Sequence, residues 1–373
     1  MGQGSNLKVK AVRKIEMESM MVFDKSAWKK YMDGFFVRDC TFGFEDGRLG
    51  FLIYEELEDD AELDEGWQMR LLAVKLSNPI DTRFFYMTTN AIGVGGMIAS
   101  AWHPKQQEFV VAGIGRQIYS YKPKEYKGRE PDIPFPAAGK LKPDAYSEYD
   151  CAIMKTVRVG STVFAVGGPF RVFERTANQQ WIEHKDIPIP AAIGSADRET
   201  ALHAIGNSGF EDLAGLSPDD MYAVGREGTI WQRTQGQWRQ RAFPSNLDLF
   251  TVAVAPDGTA YITDRRCSVW KGQEERWERI VQADSTLPYQ DSAWFAGRLW
   301  CTNDSAGPFV LEGKKMVPAH QAKKEPMPAQ VACFAHRIDV SPDGKTMLVA
   351  GRHGAATYDG KTWTVLFDGM PDD

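Results

Sequence analysis

A degenerate unit recurs along most of this 373-residue chain, and such a recurrence constrains the fold more strongly than any single motif. The unit is clearest in residues 221–243 (MYAVGREGTIWQRTQGQWRQRAF), 260–280 (AYITDRRCSVWKGQEERWERI) and 347–367 (MLVAGRHGAATYDGKTWTVLF), with looser copies at 163–184 and 299–319. Each copy has a short apolar segment ending in small residues, a turn, a second segment centred on a large residue, a polar turn and a third segment. The sequence therefore predicts an array built from one supersecondary unit.

Two large residues mark each unit. The first lies at the centre of the second segment, at Tyr119, Phe173, Trp231, Trp270, Leu311 and Tyr358. In the last five units a second large residue follows five to eight positions later, at Trp181, Trp238, Trp277, Met316 and Trp363. Side chains of this size at recurring positions are expected to pack neighbouring units against each other.

A further strand precedes several units and ends in a Pro-Asp turn, at Pro218, Pro256 and Pro342. Proline presets the φ of the first turn residue, and the Gly that follows Asp in two of these turns accepts a positive φ. The complete unit is therefore a four-stranded antiparallel meander of about 40–45 residues, which is the period of a propeller blade. The sequence predicts an all-β fold, a β-propeller.

The units resemble the WD40-like and BNR-like propeller repeats of bacteria, in particular the pattern YAVG.EG.I......W, which runs here from Tyr222 to Trp238. Six units are recognisable within residues 95–368. Residues 7–94 are then expected to supply a degenerate first blade, with strands in 47–57 and 69–76 as neighbours. The prediction is a single domain over 1–373 with seven blades of four antiparallel strands, closed into a ring by its N- and C-terminal segments so that no sheet edge is left open.

Three segments depart from the repeat. Residues 122–143 carry five prolines and six basic residues, which predicts a stiff exposed loop. Residues 187–210 form a second insertion, with a helix predicted over 195–206 and Ser195 as its N-cap. A short helix is expected within 24–33, with Trp28 and either Tyr31 or Met32 turned inward.

The acidity of the chain is local. Its formal net charge is −6, and the eight carboxylates within residues 55–65 account for more than all of it, because the rest of the chain sums to +2 (−6 + 8). These residues are Glu55, Glu56, Glu58, Asp59, Asp60, Glu62, Asp64 and Glu65. We call residues 55–65 the acidic run.

Three interpretations compete for the acidic run. It is either a solvated loop that favours solubility, a calcium loop, or a docking arm for a basic partner. The calcium interpretation is the weakest, because the run has neither the central Gly nor the alternating Asp and Asn ligands of such loops. As a docking arm, the run would raise the encounter rate with a basic protein. We therefore take its eight carboxylates as candidate partner-binding residues.

Composition and motifs argue against other classes. No uninterrupted apolar stretch has the length of a signal peptide core or of a membrane span, so we expect a cytoplasmic protein with no membrane association. An acidic chain is not expected to bind nucleic acid directly. Five cysteines lie at least 32 residues apart, without the C-x-x-C spacing of zinc or redox sites, and are expected to be buried thiols.

No catalytic residue is assigned. Six histidines are dispersed along the chain, and none of the common nucleophile, phosphate-loop or zinc-protease motifs occurs. Five arginines follow the first recognisable strand of their units, at Arg116, Arg171, Arg226, Arg265 and Arg352. We interpret them as polar turn residues rather than as the convergent arginines of a sialidase. The expectation is a protein that is not an enzyme and that has no cofactor or metal.

The predicted function is to bind another protein. The chain is similar to propeller immunity proteins encoded beside polymorphic, Rhs-type toxins, and this resemblance implies occlusion of a toxin domain that is basic because its substrate is anionic. Two alternatives stay open. One is a sialidase-like or lactonase-like hydrolase acting at the central pocket, and the other is a scaffold for several partners.

Overall fold

The computed structural model describes residues 21–56, 68–89, 95–135, 151–333 and 336–369. Within them, 28 strands form seven four-stranded sheets, each an antiparallel meander in which consecutive strands pair. The fold is the predicted seven-bladed β-propeller. We number the sheets as blades 1 to 7 in chain order. The only two α-helices in the described ranges are α1 (Lys25–Tyr31) and α2 (Arg198–Asn207).

The strands of the first four blades are as follows. Blade 1 contains β1 (Phe35–Phe42), β2 (Arg48–Glu55), β3 (Met69–Lys75) and β4 (Phe84–Thr89). Blade 2 contains β5 (Met97–Ala101), β6 (Glu108–Ala112), β7 (Ile118–Lys122) and β8 (Tyr126–Glu130). Blade 3 contains β9 (Ala152–Val159), β10 (Thr162–Gly168), β11 (Arg171–Ala177) and β12 (Gln180–Glu183). Blade 4 contains β13 (Phe210–Ser217), β14 (Asp220–Gly225), β15 (Ile230–Thr234) and β16 (Gln237–Arg241).

The remaining three blades have the same order. Blade 5 contains β17 (Leu249–Val254), β18 (Ala260–Asp264), β19 (Val269–Gln273) and β20 (Arg276–Val281). Blade 6 contains β21 (Asp291–Phe295), β22 (Arg298–Asn303), β23 (Gly307–Glu312) and β24 (Lys315–Pro318). Blade 7 contains β25 (Arg337–Val340), β26 (Met347–Gly351), β27 (Gly354–Tyr358) and β28 (Trp363–Asp368).

The first strand of every blade lies at the centre of the ring. Each of these seven strands contacts the first strand of the next blade, from β1 through to β25, and β25 contacts β1 in turn. The second strands are almost wholly apolar and buried, as in Val163–Val166 of blade 3 and Leu348–Ala350 of blade 7. A sheet buried on both faces requires such sequences, because neighbouring blades cover both sides.

The repeat anchors pack between blades as expected. Tyr358 and Trp270 are buried, whereas Trp231 is half-buried. The Tyr358 ring stacks on Trp363 at a centroid distance of 4.5 Å and meets Trp300 edge-on at 5.7 Å. The recurring large residues of the sequence are therefore the side chains that join one sheet to the next.

The two ends of the described chain close the ring. The Val22 amide donates to the Leu366 carbonyl at 2.9 Å, and the rings of Phe23 and Trp28 lie 5.2 Å and 6.0 Å from that of Phe367. One apolar cluster unites buried residues of 22–32 and of strands β1, β2 and β3 with residues 348–367 of blade 7. In blade 1 the predicted neighbours β2 and β3 do pair, with Phe51 opposite Leu72.

Two expectations about the insertions were wrong in part. Residues 122–143 are not simply a loop, because β8 forms the outer strand of blade 2 within them; residues 136–143 lie outside the described ranges. Helix α2 is present, but its N-cap is Asp197, whose carboxylate accepts the Thr200 amide at 2.8 Å. Ser195 instead accepts the Asp197 amide. Ser and Asp are both favoured at N-caps, and the prediction placed the start of the helix two residues too early.

Helix α1 packs where blades 1 and 7 meet and close the ring. Asp24 caps it, and both Trp28 and Met32 are buried, while Tyr31 is half-buried. Neither helix in the described part of the chain is long and apolar enough to cross a membrane.

Candidate functional site

The two faces of the ring differ in the length of their connections. Because every blade is a meander, the turns after its first and third strands lie on one face, and the turns after its second and fourth strands lie on the other. On the first face no connection is longer than the eight residues 76–83. We call it the hairpin face.

The opposite face carries all the long connections. Between consecutive described strands these are residues 56–68, 131–151, 184–209 and 319–336. We call it the loop face. Loops on a rigid scaffold are the usual position of binding residues, since they vary without disturbing the core. The meander topology therefore places the strand ends that flank these four connections on one face of the ring.

The acidic run begins at the loop-face end of β2 in blade 1. Glu55 is the last residue of β2, and its carboxylate accepts the Gln68 amide at 3.2 Å. Of the eight candidate residues, the structure describes Glu55 and Glu56. The other six lie outside the described residues: Glu58, Asp59, Asp60, Glu62, Asp64 and Glu65.

Glu56 joins the acidic run to blade 7. Its carboxylate lies 3.2 Å from Nη2 of Arg352 and 3.4 Å from Nε2 of His353, both in the turn between β26 and β27. Its amide donates to the Gly34 carbonyl at 2.8 Å. The beginning of the run is thus held at the seam where the ring closes, although the ion pair itself is exposed and stabilises the fold little.

A second group of acidic residues, which was not predicted from the sequence, lines the central channel. The first strands of five blades carry a layer of charged side chains. This charged layer consists of Asp39, Lys155, Asp212, Asp291 and Arg337. All five side chains come from different blades, so no local motif unites them.

The aspartates of the channel connect adjacent blades. Asp39, Asp212 and Asp291 each accept the backbone amide of the next first strand, at 2.9, 2.9 and 3.0 Å, from Ile98, Val252 and Ile338 respectively. Each also accepts the amide that follows it in its own strand. A carboxylate that receives two backbone donors satisfies groups that would otherwise be buried without partners.

Lys155 is the cation between two of these carboxylates. Its Nζ lies 2.8 Å from Asp212 and 2.6 Å from Asp291. Burial alone would lower the pKa of Lys155, but the two carboxylates outweigh it and the pKa is raised. Burial raises the pKa of Asp212 despite Lys155. The charged form of Lys155 is therefore fixed by its partners.

The charge of Asp39 is only partly compensated by its surroundings. Burial raises its pKa to about 6, because Arg337, whose Nε lies 3.8 Å away, offsets the desolvation only in part. Nearby Asp291 adds to the rise. Among the described carboxyls, Asp39 is thus one that titrates in a mildly acidic range because of where it is buried.

A second layer lies further toward the hairpin face. Arg158 makes two hydrogen bonds of 2.9 Å to Asp339, and Asp339 in turn accepts the Phe42 amide across the closing seam. Arg158 also donates to the Val340 carbonyl and to the Ser100 hydroxyl. The pair therefore ties blades 1, 2, 3 and 7 together at one point.

The cavity above the charged layer has a volume of about 370 Å³. It extends to Gly160 and Gly344, in turns of the hairpin face. Its charged side chains are those of the two layers, and all are engaged in ion pairs or backbone hydrogen bonds. None of the six histidines lines it. The described residues contain no cluster of three or more His, Cys, Asp or Glu side chains suited to a metal ion.

The five arginines of the repeat do not converge. Four lie in turns of the loop face after a second strand, and the fifth, Arg171, is the first residue of β11. Arg171 pairs with Glu183 at 2.9 Å, and Arg226 pairs with Glu211. None lines the central cavity. The interpretation as turn residues is confirmed for four of them and is wrong for Arg171, which lies in a strand.

The cysteines are mostly buried thiols, as expected. Cys40, Cys151, Cys267 and Cys301 are buried, but Cys333 is exposed. Burial raises the pKa of the Cys40 thiol, with Asp39 adding to the effect. The expectation failed only for the cysteine that lies in the connection 319–336, outside any strand.

A comparison with known proteins finds a curated protein that matches part of the sequence and a solved structure that has the same fold. No family model matches the chain. A segment of 156 residues is 30% identical to Immune protein Tsi7 of Pseudomonas aeruginosa, and the match covers 42% of this chain and 48% of that protein. The chain therefore spans about half the length of this curated relative.

A solved structure, the β-propeller domain of Myceliophteria thermophila Cps50 (Swd1), superimposes with a TM-score of 0.52 at 10% identity. The match covers 88% of this chain and 96% of that one. At this identity the likeness concerns the fold alone. This chain is a seven-bladed β-propeller that is similar, over part of its length, to an immune protein.

Proposed function

We propose that this chain is a non-catalytic, protein-binding propeller that neutralises a cognate toxin by covering it with the loop face. The observation that supports the proposal is that the strands flanking the acidic run, and those flanking the other long connections, all meet these segments on the loop face of the ring. The partial similarity to an immune protein supports the choice of a toxin as partner.

The acidic run indicates the sign of the charge that we expect on the partner. Eight carboxylates in eleven positions, without a basic residue among them, create a local negative potential. Exposed charges of this kind mainly raise the association rate and disfavour partners of like charge. The partner we expect is a basic toxin domain, since an enzyme that acts on an anionic substrate commonly presents a basic surface.

The central cavity supports a structural role better than a hydrolytic one. Its carboxylates each hold a backbone amide of the next blade, and its cations are paired with these carboxylates. A general acid or base has to exchange protons with a substrate, whereas these groups are occupied in joining blades. We therefore favour binding at the loop face over hydrolysis at the channel.

The first experiment identifies the toxin. The tagged chain is purified from its native host, co-purifying proteins are identified by mass spectrometry, and each candidate is expressed in a sensitive strain with and without this chain. The proposal expects a protein that stops growth alone and does not do so when this chain is co-expressed. A host without any such protein among the partners would contradict it.

The second experiment tests the acidic run against a matched control. The triple variant Glu58→Gln/Asp60→Asn/Glu62→Gln removes three charges from the run. The control Glu125→Gln/Asp219→Asn/Glu274→Gln removes three exposed charges from hairpin-face turns. Association with the identified toxin should slow about tenfold or more for the first variant at low salt, since steering by charge changes rates by 10-fold to 10³-fold. The control should associate at the rate of the parent.

The dissociation rate should change much less than the association rate, and the difference between the two variants should shrink as salt is raised. Equal association rates for both variants at low salt would show that the run only favours solubility, with the toxin bound elsewhere.

A further inference from the structure

The outermost strand of blade 1 lacks the charges that the other blades place there. Among the seven outermost strands, β4 (FFYMTT) is the only one without a charged residue. The other six carry at least one, as in β8 (YKGRE), β12 (QWIE), β16 (QWRQR), β20 (RWERIV), β24 (KMVP) and β28 (WTVLFD). Charges and prolines on outer strands normally prevent other chains from pairing with the edge. Strand β4 lacks this protection.

Strand β4 presents large apolar side chains instead. Tyr86 is 48% exposed, and Phe84, Phe85 and Met87 are only half-buried. Phe84 and Tyr86 turn toward helix α1, where Tyr31 lies 4.7 Å and 5.7 Å from their rings. Phe85 turns to the other side and stacks on Tyr121 of blade 2 at 3.8 Å. The edge is thus rigidly held from both sides while its own surface stays accessible.

The free side of β4 has no partner within the described residues. The sheet of blade 1 ends at this strand, and no backbone hydrogen bond outside the ladder with β3 involves residues 84–88. An accessible edge of unpaired amide and carbonyl groups is the template for β-augmentation, in which an extended segment adds as a further strand.

The side chains around this edge are mainly basic. The Nζ of Lys127 lies 5.7 Å from the centre of the Phe85 ring, and that of Lys30 lies 5.0 Å from the Tyr31 ring. The guanidinium of Arg70 lies 3.6 Å from the Phe35 ring and 5.8 Å from the Tyr86 ring. Opposing them, Glu55 acts on Arg70 from a distance, and Asp81 precedes β4 in the chain.

We propose that the free edge of β4 binds an extended acidic segment of a partner protein as a fifth strand of blade 1. The main chain of that segment would pair with β4. Its acidic side chains would lie near Lys30, Arg70 and Lys127, and its apolar side chains would cover Tyr86. This partner need not be the toxin, because the acidic run on the loop face would attract a protein of the opposite charge.

Charge disfavours two other occupants. In a second copy of this chain, pairing β4 with β4 would bring Lys30, Arg70 and Lys127 close to basic residues of the other copy. The N-terminal stretch LKVKAVRK (7–14) alternates in part like a strand, but it contributes four basic residues and no acidic ones. Like charges placed opposite each other across strands are unfavourable. An acidic segment from another protein meets no such repulsion.

The probe is a fluorescent peptide of about eight residues in which Glu and Val alternate, since strands of this length are typical. The matched control peptide alternates Lys and Val. Fluorescence anisotropy with the full chain should show binding of the Glu peptide about tenfold or more tighter than of the Lys peptide, as expected where paired charges are close. Hydrogen exchange of the amides in residues 84–88 should slow when the Glu peptide is bound, while the edges of other blades stay unchanged.

Two variants locate the site. Lys30→Glu/Lys127→Glu reverses exposed charges beside β4 and should weaken binding of the Glu peptide about threefold to tenfold, given the modest strength of exposed pairs. The control Lys314→Glu/Lys361→Glu reverses two exposed lysines in turns of blades 6 and 7 and should leave the affinity unchanged. Thr88→Glu adds the missing edge charge and should also weaken binding.

Several outcomes would overturn the proposal. Equal affinity for the two peptides would remove the charge argument, and unchanged exchange at residues 84–88 would remove β4 as the site. A dimer in analytical ultracentrifugation that Thr88→Glu dissociates would identify a second copy as the occupant. Peptide binding that appears only after residues 1–20 are deleted would identify the N-terminal segment as the occupant.

Discussion

The molecule uses acidic side chains in two opposite ways, in the central channel and in the acidic run. Asp39, Asp212, Asp291 and Asp339 are spread over four blades, and each accepts a backbone amide of the neighbouring blade. The acidic run places eight carboxylates in eleven positions with no cation between them. The same chemical group is a structural link in the channel, whereas in the acidic run we propose that it attracts a basic partner.

The difference lies in what surrounds each carboxylate. A buried carboxylate is stable only if cations and hydrogen-bond donors replace the water it has lost, and Lys155, Arg158 and Arg337 together with the backbone amides do so. A carboxylate in water needs no such partner, so its charge remains available to a binding protein. Surroundings, rather than residue type, decide which role an acidic residue has.

The largest expected effect concerns Asp291 in the charged layer. Asp291→Ala removes one of two carboxylates at Lys155 and leaves the Ile338 amide without its acceptor. The free energy of unfolding should fall by about 3–5 kcal/mol, the range for breaking a buried ion pair by removing one partner. Urea unfolding followed by tryptophan fluorescence measures it.

Asp291→Asn is the matched control for this prediction. It keeps an oxygen for the Ile338 amide and loses only the charge, so it should be less destabilising than Asp291→Ala. A loss below about 1 kcal/mol for Asp291→Ala would mean that the channel carboxylates are not structural links, because typical surface substitutions cost no more than that.

The next effect concerns Asp39 and depends on pH. Because the folded pKa of Asp39, about 6, is raised above the ordinary aspartate value of 3.8, the folded state binds the proton more tightly than the unfolded state does. The stabilisation from this group is complete below the unfolded pKa and is lost as pH rises through about 6. A shift of about two units corresponds to about 3 kcal/mol, at 1.36 kcal/mol per unit.

The test compares the chain with its Asp39→Asn variant, which keeps an oxygen for the Ile98 amide but cannot titrate. The free energy of unfolding of both proteins is measured from pH 4 to pH 7. The unmodified chain should lose about 3 kcal/mol relative to the variant over this range. A difference that stays constant with pH would show that Asp39 keeps the same charge throughout.

The sequence predicted the blades because a propeller repeats its packing. Trp270 and Tyr358 recur at matching places because each sheet needs a large side chain against its neighbour. The same reasoning predicted two of the four strands of blade 1, β2 and β3, as neighbours, because their apolar segments persist where the repeat spacing does not. It failed for β8, because its residues YKGRE are mostly polar on an outer strand and the adjacent prolines suggest a loop.

The sequence did not predict the channel carboxylates, because their partners are distant in the chain. Asp39 and Asp212 lie 173 residues apart, and no local motif marks either of them in its strand. Comparing the first strands of all blades would have shown that an aspartate recurs in β1, β13 and β21. The acidic run was visible because its members are neighbours in sequence.

The smallest expected effect completes the comparison, because it concerns the stability contribution of the acidic run. Replacing Glu58, Asp59, Asp60, Glu62, Asp64 and Glu65 with Gln or Asn should change the free energy of unfolding by no more than about 0.5 kcal/mol, the usual range for surface substitutions. Glu55 and Glu56 are kept, since they contact Gln68, Arg352 and His353. Relief of the mutual repulsion within the run should make any change slightly stabilising, and this change should vanish as salt is raised.

The measurement is urea unfolding at low and at physiological ionic strength. The six-residue variant is compared with Asp291→Asn, the channel counterpart in which one charge is lost. If the six-residue variant lost more stability than Asp291→Asn, the run would be part of the folded ring, and the contrast between structural and steering carboxylates would not hold.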